Sequence, residues 1–128
     1  LYREAPLNAI WEGSGNVICL DILRTLQRAP EAGEALAAEL GAASGQDRRF
    51  DAAVKAHMQR WPKLPQEGEA RWYVESLATL LTASVLLRQA PAAVGEGYVT
   101  ARLGAERGRV AGACTGLDTA AILGRIAG

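Results

Sequence analysis

The residues best able to do chemistry are contiguous: Trp11, Glu12, Gly13, Ser14, Gly15 and Asn16. A carboxylate beside an indole loses water on one side, which disfavours its charged form and makes it a stronger base. Gly13 and Gly15 carry no Cβ, so backbone amides there can approach a ligand closely. The same residues also read as a capped turn, with Ser14 or Asn16 accepting from the first amides of a following helix. Spacing alone leaves both readings open, and a Gly-x-Gly with no preceding strand is weak evidence for a dinucleotide site.

Two further positions carry charge that a ligand could use. Arg24 lies on the polar side of the following helix, three residues from Asp21, and reads either as a solvated or salt-bridged arginine or as a group facing an anionic ligand. Arg102, Arg107 and Arg109 concentrate positive charge in a Gly-rich tail, diluted by Glu106. They read as loop solvation or as contacts to DNA phosphates, and phosphate contact alone implies binding to double-stranded DNA that is weak, salt-sensitive and independent of base sequence. His57 is the sole histidine and falls within an apolar stripe, so it reads as a hydrogen-bonded core residue. Cys19 reads as core, Cys114 as a free thiol, and Trp72 and Tyr73 as packing, with an exposed ring able to stack on a base. His, Cys and carboxylates do not cluster, and no metal site is expected.

These groups must be held by helices. Gly and Pro divide the 128 residues into five or six periodic segments, and β-branched residues are too sparse among the Ala and Leu for long strands, so the expected fold is an all-α helical bundle. Residues 16 to 28 place Ile18, Cys19, Ile22, Leu23 and Leu26 at three- and four-residue spacing. Pro30 stops that helix and opens the next, expected over residues 30 to 43. Ser44 with Asp47 resembles a capping pair for a helix whose stripe is Phe50, Val54, His57, Met58 and Trp61. Pro62 and Pro65 interrupt it, and residues 67 to 90 form a long helix with a broad apolar face that includes Trp72, Tyr73, Leu77 and Leu80. Pro91 opens a helix to about residue 103, and Thr115 is a candidate cap for a short final one.

Composition sets the outer bounds. The chain is 49% hydrophobic and 22% charged with no net charge, which excludes disordered, collagen-like and disulfide-scaffold classes and gives no general push toward nucleic acid or anionic membrane. Charge is mildly uneven, −3 over residues 1 to 45 and +3 over residues 46 to 128. Two cysteines fit a reducing cytoplasm, and no apolar run approaches the ~18 residues of a membrane span. The chain opens on Leu1 rather than Met and without a leader pattern, so it reads as a segment of a longer protein.

The run Arg3, Glu4, Ala5, Pro6, followed by Ile10, Trp11, Glu12, Gly13 and Ser14, resembles the catalytic-loop signature of the acyl-CoA dehydrogenase family, Arg-Asp-Ala-Lys then Ile-Tyr-Glu-Gly-Thr, aligned without a gap. Trp11 stands where the family usually has Tyr and Pro6 where it usually has Lys. The form IWEGSGN, the helix from Cys19 to Arg24 and the later run from Gly45 to Asp51 resemble its AidB-like branch, isovaleryl-CoA-dehydrogenase-like flavoproteins of the adaptive response to DNA alkylation. The resemblance implies that residues 1 to 45 hold the catalytic loop and last helices of the C-terminal bundle, and residues 46 to 128 the branch's extra C-terminal helical domain. It implies Glu12 as the base that removes the α-proton of an acyl-CoA. It also implies Trp11, Gly13 and Arg24 on the substrate side, and Ser14, Gly15 and Asn16 beside FAD. The parent would be a cytoplasmic homo-oligomer, a homotetramer, while this chain alone would lack the upstream domains, bind no FAD and be inactive. The alternative is a DNA-binding or oligomerising helical module whose catalytic loop is vestigial.

Overall fold

The longest helix lies at the centre of the molecule. The computed structural model describes residues 15–108, 110 and 112–126. Among them the chain is all-α, in the order α1 (Gly15–Arg28), α2 (Pro30–Gly41), α3 (Arg48–Arg60), α4 (Ala70–Gln89), α5 (Ala92–Leu103) and α6 (Thr119–Gly124), with a 3-10 turn at Glu67–Glu69 before α4. Helix α4 packs against α1, α2, α3 and α5, and α6 lies on α5. Its small buried residues Ala83 and Ser84 let neighbours approach, while Leu77 and Leu80 fill the space between them.

The main core joins Leu40 of α2 and Ala43 just beyond it, Phe50 of α3, Leu77, Leu80 and Ala83 of α4, and Val99 of α5. A smaller cluster of Cys19 and Leu23 from α1 with Ala70 from α4 attaches the first helix, and Tyr73 packs against both groups. Cys19 is thus core, as its place in the apolar spacing suggested. Ser84, fully buried, donates its hydroxyl to the Glu39 carbonyl at 2.7 Å, and Arg88 pairs with the Glu39 carboxylate, joining α2 to α4 through polar groups. At Gly95 the α4 and α5 backbones meet: a Cβ there would lie 3.0 Å from the Leu86 carbonyl oxygen, tighter than side chains normally tolerate.

Three local expectations are corrected. The cap of α3 is Asp47, which accepts from the Arg49 amide at 2.7 Å, while Asp51 accepts from the Gly45 amide at 3.1 Å, so Ser44 does not form the capping pair. The reason is Gly45, whose φ of +83° turns the chain after α2 and delays the helix start. The cap of α6 is Asp118, accepting from the Ala121 amide at 3.0 Å, and not Thr115. Met58 and Trp72, both placed on apolar stripes, are 51% and 56% exposed, because the stripes of α3 and α4 are wider than the surfaces their neighbours cover.

His57 is buried, its Nδ1 lies 2.8 Å from the Ser76 hydroxyl, and its ring packs on Trp61 and Tyr73. Burial holds its pKa below the ordinary histidine value. The sign follows: below about pH 6.5 the unfolded chain takes up this proton before the folded one, so stability falls with acidification until the lowered folded value is passed. Urea midpoints should therefore drop from pH 7.5 to pH 5.5, a range in which His57 is the only side chain of its type. His57→Gln should flatten that slope, and an unchanged slope would assign it to other groups.

Candidate functional site

The contiguous run singled out in sequence falls across the edge of the described residues. Trp11, Glu12, Gly13 and Ser14 lie outside them, while Gly15 and Asn16 open α1. Helical spacing puts Asn16 on the same side as Cys19, Leu20 and Leu23, the side that packs on α4. That packing brings Arg71, at the start of α4, to Asn16. Its Nη1 donates to Asn16 Oδ1 at 2.8 Å, and a Cβ on Gly15 would lie 3.7 Å from its Nη2. Asn16, Cys19 and Leu20 of α1 with Glu67, Gly68, Ala70 and Arg71 line a hollow of about 500 Å³. Arg71 escaped the sequence reading because it stands 55 positions from Asn16 and forms no motif with it.

Arg24 lies two turns further along α1. Its Nη1 donates to Asp21 Oδ1 at 3.2 Å, with the two side chains 53% and 62% exposed. Such a pair contributes at most a few tenths of a kcal/mol, so it does not tie the arginine down against a competing anion.

Arg102 and Arg107 come together on another face of α4. Both line a groove of about 200 Å³ with Trp72, Glu75, Ser76 and Thr79. Arg102 ends α5, and Arg107 is positioned by an antiparallel bridge to Cys114, closed by the Gly108 amide donating to the Ala113 carbonyl at 2.6 Å. Arg109 lies outside the described residues. The indole of Trp72 is set by Arg60, whose guanidinium stands 3.7 Å from the ring centroid and donates to Glu69 at 2.9 Å. The groove thus gathers two guanidiniums and an exposed indole, which suits an acceptor-rich ligand with a planar part; its hydroxyls are engaged, Thr79 with the Glu75 carbonyl and Ser76 with His57, and the carboxylate of Glu75 opposes an anion at one point. The tail arginines were visible in sequence, but their meeting with Trp72 was not.

Among the described residues no three His, Cys, Asp or Glu side chains are grouped so as to hold a metal ion, and no helix is long and apolar enough to cross a membrane.

In sequence, the run Trp-Glu-Gly-Ser-Gly-Asn that ends at the start of α1 is similar to the acyl-CoA dehydrogenase loop signature. One relative is the putative acyl-CoA dehydrogenase AidB of Escherichia coli (strain K12), to which 67 residues of this chain are 46% identical. The match covers 52% of this chain and 12% of that protein, and no protein-family model matches the chain. The resemblance to the AidB-like branch therefore rests on an identified relative as well as on the motif.

Proposed function

We propose that this chain is a C-terminal part of an FAD-dependent acyl-CoA-dehydrogenase-like protein. Residues 1 to 45 would complete its catalytic bundle and residues 46 to 128 would form an added helical domain. The observation that carries this is the gapless motif from Arg3 to Ser14 together with the 46% identity to AidB. Glu12 is the group that takes the α-proton of an acyl-CoA, and its sequence neighbour Trp11 supplies an indole of the kind that makes a carboxylate a stronger base by desolvation. Gly13 offers its backbone to the thioester, Arg24 faces the anionic part of the ligand, and Ser14, Gly15 and Asn16 border the flavin. The flavin, when bound, accepts the hydride leaving the β-carbon. The described edge of the site fits such a group: Arg71 Nη1 holds Asn16 Oδ1, which leaves the NH2 group of Asn16 to donate to a flavin carbonyl or phosphate. On this reading the full-length protein is a cytoplasmic homo-oligomer, a homotetramer, and this chain alone neither holds FAD nor turns over.

The test is the flavin spectrum of the full-length protein. Anaerobic addition of a branched acyl-CoA should bleach the oxidised flavin band. A full-length protein that purifies without flavin and takes none up would overturn the reading.

A second reading is favoured by the groove that gathers Arg102, Arg107 and Trp72. It makes residues 46 to 128 a surface for the phosphates of double-stranded DNA, as a response to DNA alkylation would use, with Arg109, two positions on from Arg107 in the sequence, as a further candidate. Binding of a labelled duplex, followed by anisotropy, should weaken with salt and should not depend on sequence. Arg102→Glu with Arg107→Glu should reduce the salt slope by about two, roughly one for each phosphate no longer neutralised. Binding that the double variant leaves unchanged would exclude this groove as the DNA-binding surface.

A further inference from the structure

Arg71 and Asn16 meet with a polarity that is forced by chemistry. A guanidinium carries donors and no acceptor, so the oxygen of the Asn16 amide must face it, as the 2.8 Å hydrogen bond from Nη1 to Oδ1 has it. The opposite rotamer would set an NH2 group against five N–H donors. With Oδ1 held, the two donors of Asn16 Nδ2 are turned away from Arg71. Without Arg71, the two faces of the amide are nearly equal in shape and the side chain would rotate between them.

The arm that supplies this constraint is well anchored. Ala70, beside Arg71, is buried against Cys19 and Leu23 of α1, so the start of α4 cannot drift from the start of α1 without opening an apolar interface. Arg71 itself is exposed and contributes nothing to either core. Its geometry therefore serves the position of Asn16 more than the cohesion of the bundle.

We propose that Arg71 is a positioning residue for Asn16 at the start of α1, fixing its amide so that the NH2 group is presented to an acceptor-bearing ligand. This rests on the flavoprotein reading above and adds to it. Arg71 belongs to residues 46 to 128, so the added helical region is coupled to flavin binding through Asn16. By reciprocity, flavin would stabilise the α1 to α4 packing as much as that packing strengthens flavin binding.

The experiment uses the full-length protein and reads the FAD dissociation constant by quenching of flavin fluorescence, with the thermal midpoint of the flavin-free protein alongside. Arg71→Ala should weaken FAD about tenfold, the order of one hydrogen bond from Asn16 to the ligand that is no longer oriented, and leave the flavin-free midpoint in place. Arg71→Lys keeps a donor and should recover part of the affinity. Asn16→Asp separates the roles: it strengthens the pairing with Arg71 but removes the NH2 donors, so FAD should bind weakly although the link to α4 is retained. In the Asn16→Ala background, Arg71→Ala should have no further effect. Wild-type affinity in Arg71→Ala, or additive losses in the double variant, would overturn the positioning role while leaving the flavoprotein reading intact. A wild-type protein that takes up no FAD would overturn both.

Discussion

Phe50→Ala is expected to cost about 3–5 kcal/mol of folding stability, the range for removing an aromatic ring from a packed interior. Phe50 is only 1% exposed and is the largest fully buried side chain among the described residues. It reaches from the first turn of α3 into the cluster formed by Leu40, Leu77, Leu80 and Val99, so three other helices line the cavity its loss would leave. Those walls are helices held by their own backbone hydrogen bonds, and they can close only part of the gap. A domain of this size is stable by about 5–15 kcal/mol, so the loss would take a large share of the total. Urea unfolding followed by circular dichroism checks it. Met58→Ala is the matched control: Met58 is on the same helix but 51% exposed, and its loss should move the midpoint little. Equal shifts for the two variants would show that the packing of α3 is not as described.

Glu12→Gln in the full-length protein should slow flavin bleaching by an acyl-CoA by about 10²- to 10⁴-fold, the range that a general base contributes. The substitution keeps shape and volume and removes only the basic carboxylate, so the flavin content should not change. That pairing of outcomes matters, because loss of flavin together with loss of bleaching would describe a damaged fold and not a missing base. Unchanged bleaching would remove Glu12 from the proposed role and shift weight to a carboxylate elsewhere in the protein. The rate should be read in a single turnover, where bleaching follows the chemical step and product release does not enter.

Most of the element plan was legible because its signals are local. Pro30, Pro62, Pro65 and Pro91 interrupt helices wherever they occur, through a missing donor and a clash with the preceding turn. The three- and four-residue spacing of Cys19, Leu23 and Leu26 marks one side of a helix before any partner is known. The caps were less legible. Ser44 and Asp47 are both good capping residues, and the choice between them depended on Gly45 adopting a positive φ. The run from Trp11 to Asn16 stood out for a different reason, being contiguous residues of types able to do chemistry.

The sequence by itself therefore determined the all-α class, the limits of the long helices and the Trp11 to Asn16 run as the place to look for chemistry. Only the tertiary structure decided which residues outside that run belong beside it. Arg71 meets Asn16 because small and apolar residues, Ala70, Cys19 and Leu23, allow α4 and α1 to lie close. Arg102 and Arg107 share a groove with Trp72 because α5 returns along α4. Likewise, Met58 and Trp72 remain exposed because burial depends on which neighbours a helix receives. Periodicity reports one helix at a time, whereas the meeting of residues about fifty positions apart depends on how several helices share a common core.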